Sequence, residues 1–120
     1  MNIDHLVQAV AFLSRDDGAI LAENTRLNQL LTPGDALHIR SLIETNAKFG
    51  RAKEVRYAHL TIPVVNRNGE ISGVSQVAGI QTISTCRSII VIVSQGAVAF
   101  ATVQFARQLA ITVSNDERRG

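Results

Sequence analysis

Three histidines, an adjacent pair of aspartates and one cysteine are the first side chains of this chain to weigh for catalysis or metal binding. His5, His38 and His59 lie far apart, each among apolar neighbours, and none has a ligand partner at metal-site spacing. They read as structural imidazoles. Asp16-Asp17 resembles a carboxylate pair, but Gly18 follows directly and makes the segment a turn. Arg87 beside Cys86 would favour a thiolate. No second catalytic group is near in sequence, so Cys86 reads as a packed thiol. There is no Gly-rich phosphate loop, HExxH, CxxC or Gly-x-Ser-x-Gly elbow. The expectation is a protein that is not an enzyme, with no cofactor, no metal and no small-molecule substrate.

Binding chemistry is better represented. Basic residues gather mid-chain at Arg40, Lys48, Arg51, Lys53, Arg56 and Arg67, with only Glu44 and Glu54 among them. Read with period two, Glu54–Val65 has two faces: Val55, Tyr57, His59 and Thr61 on one, Arg56, Ala58, Leu60, Ile62 and Val64 on the other. If Leu37–Ile43 is the neighbouring antiparallel strand, its His38 and Arg40 stand beside Tyr57, His59 and Thr61. With Lys48, Arg51 and Lys53 of the connecting turn, these form a candidate RNA-binding set: cations for phosphate, an aromatic ring for a base, hydroxyl and imidazole for base edges. A solvated sheet face competes with this reading, and a net charge of only +2 favours it.

The elements that must position these residues are unevenly marked. His5–Leu13 and Ala19–Ala22 flank Asp16-Asp17-Gly18 and read as a hairpin, although Ile3, Leu6, Val7 and Val10 also fit a short helix. Ala36–Asn46 is ambiguous. Thr32-Pro33 is a helix start and Ile39, Leu42 and Ile43 share a helical face, yet Leu37-His38-Ile39-Arg40-Ser41 alternates like a strand. Asn66-Arg67-Asn68-Gly69 is the clearest turn, and Glu70–Thr82 reads as a loop or weak strand. Ile89–Val93 is a strong β run, and Ala97–Val113 has helical periodicity with a wide apolar arc.

The whole, residues 1–120, is expected to be a single domain. An apolar fraction of 46% argues against disorder. One cysteine excludes an intrachain disulfide. The first residues, Met1-Asn2-Ile3-Asp4-His5, lack the basic start of a signal peptide, and the longest apolar runs are too short to span a membrane.

The order Leu37-His38-Ile39-Arg40-Ser41, a basic Gly50-Arg51 turn, then Val55-Arg56-Tyr57-Ala58-His59-Leu60-Thr61-Ile62-Pro63-Val64-Val65 resembles the central hairpin of single-stranded RNA bacteriophage (levivirus-type) coat proteins. The resemblance implies an α+β fold: an N-terminal β-hairpin, an antiparallel sheet of about five strands and a C-terminal helix packing on one face, in an intertwined homodimer. It makes Ala36–Asn46 a strand. It implies a structural capsid protein that self-assembles into an icosahedral virus-like particle in the bacterial host cytoplasm and becomes part of the virion. The partners would be the chain itself and single-stranded RNA, bound on the inner sheet face, with translation repressed through an RNA hairpin. Leu60, Ile62, Val98, Phe105 and Leu109 would pack the dimer and its helix layer. Two other readings stand beside it: a small dimeric nucleic-acid-binding regulator, and a protein-interaction module of roadblock or profilin type, which needs Ala36–Asn46 to be a helix.

Overall fold

The structure, a computed structural model, describes residues 7–45, 53–96 and 99–119. Seven strands and two helices follow one another as β1 (Val7–Ser14), β2 (Ile20–Thr25), α1 (Pro33–Thr45), β3 (Lys53–Tyr57), β4 (Leu60–Arg67), β5 (Glu70–Val74), β6 (Ala78–Ser84), β7 (Ser88–Gln95) and α2 (Ala99–Arg119). All strands join one antiparallel sheet in the order β2-β1-β7-β6-β5-β4-β3. This corrects the expected five-stranded sheet with a helix on one face. The sheet has seven strands, and each of its faces carries a helix.

The ambiguous segment is the helix α1. Thr32 caps it, its Oγ1 accepting from the Asp35 amide at 3.1 Å while its carbonyl accepts from Ala36 N at 3.0 Å. Pro33 opens the first turn, where it has no donor to lose. Burial follows helical spacing: Ala36, Ile39, Leu42 and Ile43 are inside, and Leu37 is 52% exposed. A strand would have buried Leu37 together with Ile39. The cap and the i, i+3, i+7 pattern outweigh five residues of alternation.

The second correction concerns Glu54–Val65, which is two strands. Tyr57 pairs with Leu60 across the two-residue turn Ala58-His59, so β3 and β4 form a hairpin. The turn consumes two residues and shifts the alternation. Val55 and Tyr57 therefore join Leu60, Ile62 and Val64 on the buried face, and Arg56 and Thr61 point outward. Pro63 stands opposite Glu54, a pair that makes no ladder bonds, and lies beyond the last β4–β5 pair, so its missing N–H costs no ladder bond. The segment expected as a loop or weak strand is β5 and β6. At Gly73 in β5 a Cβ would lie 2.0 Å from the Pro63 carbonyl oxygen, so only glycine admits this approach of β4.

Two apolar layers result. The larger packs α1 and Leu31 against one sheet face, with Leu13, Tyr57, Ile62, Ile71, Ile89 and Val91 fully buried. The smaller packs Phe105, Ala106, Leu109, Ala110 and Val113 of α2 against Val10, Phe12, Ile83, Ile90 and Ile92. Ile89–Val93 is apolar throughout because the helices bury both of its faces.

Ala58 has φ of 55°, at the turn position where glycine is favoured. The left-handed conformation costs a non-glycine residue about 1–2 kcal/mol. Ala58→Gly should raise stability by about 0.5–1 kcal/mol after the larger unfolded-state entropy of glycine is subtracted. Urea denaturation measures this, and a loss of stability would show that the methyl's packing outweighs the backbone strain.

Candidate docking surface

The expected RNA-binding residues do not share a face. His38 lies on α1, with Nε2 3.1 Å from the Glu54 carbonyl oxygen. The Arg40 guanidinium is spent on the β1–β2 turn: Nε donates to Arg15 O at 2.7 Å and Nη2 to Asp16 O at 2.8 Å. Tyr57 is fully buried and donates its hydroxyl to Glu23 Oε2. Burial, then this bond and the nearby Glu23 charge, hold its phenol proton well above the ordinary range. His59 is exposed in the hairpin turn, Thr61 is exposed on β4, and Lys53 is exposed at the start of β3. Lys48 and Arg51 lie outside the described residues.

The residues expected to pack a helix layer divide in the same way. Leu60 and Ile62 are buried beneath α1, whereas Phe105 and Leu109 belong to the α2 layer. Val98 lies outside the described residues.

Further polar groups are tied up in the frame. Arg15 Nη1 donates to Thr85 O at 2.7 Å, and its Nε lies 3.8 Å from Glu44 Oε1. Asp17 accepts from the Ala19 amide at 3.0 Å, which, with smaller contributions from Ser14 and Arg40, holds its carboxyl below the usual range. Thr85 Oγ1 donates to Glu117 Oε1 at 2.7 Å, anchoring the end of α2 to the β6–β7 turn. Cys86, expected to be packed, is exposed in that turn. Among the described residues, no three His, Cys, Asp or Glu side chains converge to hold a metal ion.

What remains open is the sheet face that carries α2. Register places it strand by strand. Ile92, under α2, pairs with Gln81, Gln81 with Ser72, and Ser72 with Val65. Val74 reaches the same face through Gly79 and Ser94. The helix packs on β6 and β7, leaving the β3–β5 part uncovered. There Pro63 is exposed, Val65 is 48% exposed and Val74 40%.

The adjoining flank of α2 adds Ile111, 59% exposed, beside a cleft of about 420 Å³ lined by Ile83, Ala110, Ser114 and Asn115 and flanked by Arg107 and Arg118. Arg107 reaches Glu70 of β5 at 3.9 Å. Exposed apolar side chains on the sheet face, and a cleft flanked by guanidinium groups on the helix beside it, suit contact with another protein, where water is excluded over the centre and charges lie at the rim. Sequence reasoning had Leu60, Ile62 and Val64 of β4 facing a core, as observed, but it judged the opposite face by Tyr57, His59 and Thr61 and so missed the exposed Pro63 and Val65 there.

No family model matches the chain, and no curated protein matches it. Solved structures do. Profilin IB of Acanthamoeba castellanii is 21% identical with a TM-score of 0.78, and profilin IA of the same organism is 19% identical with 0.75; each match covers 95% of this chain and 90% of the other. Schizosaccharomyces pombe profilin is 16% identical with a TM-score of 0.70, covering 93% of this chain and 88% of its own. The chain has the profilin fold. This overturns the likeness to RNA bacteriophage coat proteins, and with it the capsid function, the shell-forming homodimer, the single-stranded RNA partner and the place in a virion. The helix α1 is what the profilin-type alternative required.

Tyr57→Phe tests the buried hydroxyl. It should lower stability by about 1–2 kcal/mol, since a hydrogen bond to a charged acceptor is lost. In the native chain the raised phenol value stabilises the fold fully below the ordinary value of 10.0, and this contribution falls as pH rises above it. Wild type should therefore lose stability relative to Tyr57→Phe above that pH. Parallel alkaline limbs in pH-dependent denaturation would contradict the assignment.

Proposed function

We propose that this chain, built on the profilin fold, is a non-catalytic protein-interaction module that docks its partner on the uncovered sheet face beside α2. The carrying observation is the exposure of Pro63, Val65 and Val74 on a face that α2 otherwise covers, with Ile111 projecting from the flank of the helix. Each of these side chains is about half exposed, so a partner that covered them would gain about 1 kcal/mol apiece. Arg107 and Arg118 would orient that partner more than they hold it, because exposed ion pairs contribute little. Among the polar groups closest to chemistry, Arg15, Arg40 and Tyr57 are engaged within the frame. They are not free for a substrate.

Val65→Asp and Ile111→Asp change this surface without touching either buried layer. With the immobilised chain as bait, a partner retained by wild type should be weakened roughly tenfold or more by each variant, about 1.4 kcal/mol. Circular dichroism should show both variants folded. Equal retention by all three proteins would remove the face from the proposal, and selective retention of no protein by wild type would remove the module itself.

A further inference from the structure

The two borders of the sheet are not equivalent, and the β3 border is built to receive a strand. Tyr57 and Leu60 close the two-residue hairpin as a hydrogen-bonded pair. Alternation along an antiparallel ladder then makes Val55 with Ile62, and Lys53 with Val64, the other bonded pairs. The N–H and C=O groups of Glu54 and Arg56 consequently point off the sheet. The His38 contact agrees, because its Nε2 reaches the Glu54 carbonyl from outside the ladder at 3.1 Å. One exposed imidazole thus covers one of the four outward main-chain groups. Among the described residues, no hydrogen bond to the other three is seen beyond the sheet ladder.

Side-chain charge selects what can pair there. Lys53 and Arg56 are both exposed on this strand, and Lys48 and Arg51 precede it closely in the chain. Glu54 is the one acidic residue from Thr45 to Asn68. Charges along an edge normally deter pairing with an indiscriminate neighbour. A border of predominantly one sign still admits a strand of the opposite sign.

We propose that the β3 edge is a β-addition site for an extended acidic segment of a partner protein. The segment pairs with the main chain of Glu54 and Arg56, displaces the His38 imidazole from the Glu54 carbonyl, and sets its carboxylates against Arg56 and Lys53. Main-chain bonds supply affinity and the side-chain charges supply specificity, as in other strand-addition complexes. This surface is separate from the face beside α2 and does not depend on it.

The probe is a fluorescein-labelled peptide, Asp-Val-Glu-Thr-Asp-Val-Glu with blocked ends, read by anisotropy and by amide shifts of the labelled protein. Glu54→Ala should bind at least as tightly as wild type, because it removes the opposing charge and keeps the donor. Glu54→Pro should weaken binding roughly tenfold or more, because it removes the outward N–H while leaving the β3–β4 ladder intact. The same peptide N-methylated at alternate residues should fail on wild type, which tests pairing without any change to the protein. A version with lysines for the acids should also fail, and His38→Ala should bind more tightly. Equal binding by Glu54→Pro and Glu54→Ala, by the methylated peptide, or by the lysine peptide would overturn the proposal. So would an absence of binding to wild type, or shifts confined to residues outside β3 and α1.

Discussion

The hydroxyl of Tyr57 meets the carboxylate of Glu23, and much of the architecture depends on that contact. Tyr57 is on β3 and Glu23 on β2, the two outermost strands of a seven-stranded sheet. Laid flat, six strand spacings would hold these borders about 29 Å apart. Here they are joined by two side chains, so the sheet must curl until its edges approach. The same carboxylate oxygen accepts from the Leu31 amide at 2.9 Å, which pulls the chain leading into α1 into the gap. One acceptor therefore links both edges and the helix entry. The acceptor is half-buried, so its bonds are less weakened by water than fully exposed ones and their loss costs more.

Curling has opposite effects on the two faces. The α1 face becomes the inside of a trough, and Ile39, Leu42 and Ile43 fill it. The other face turns outward and widens. One helix, lying on β6 and β7, cannot span it, and the valines of β4 and β5 stay exposed. Closure on one side and incomplete cover on the other are two consequences of one bend. They leave apolar side chains exposed on the outer surface while the inner layer is buried under α1.

Legibility in the sequence tracked the range of the interactions. Asp17-Gly18 and Asn68-Gly69 announce their turns because the requirement is local: a residue that tolerates positive φ, seen at Gly18 (76°), Asn68 (57°) and Gly69 (82°). The Ala58-His59 turn was invisible because Ala58 is held at positive φ against its own preference by the paired strands around it. That single hidden turn left the assigned faces of β4 as they are but inverted those of β3, and so placed Tyr57, the residue that ties the edges together, on an imagined ligand surface. The α1 segment carried both patterns at once, and its cap decided it. The likeness to coat proteins prevailed over the cap because it supplied a partner for a polar face that does not exist in that form.

Charge shows the same effect of long-range context. The mid-chain basic residues suggested a phosphate-binding surface, but a cation binds an external anion only if its donors are free. Arg40 gives two donors to main-chain carbonyls of the β1–β2 turn, and Arg15 gives one to Thr85 and stands near Glu44. These bonds tie α1 to the first hairpin and that hairpin to the β6–β7 turn, so withdrawing either guanidinium for a ligand would loosen the frame. A sequence count weighs such arginines equally with exposed Lys53 and Arg56. Only the fold separates cations that hold the sheet's elements together from those that can meet a partner, and the second group includes exposed residues of the edge strand β3 and the outer helix α2.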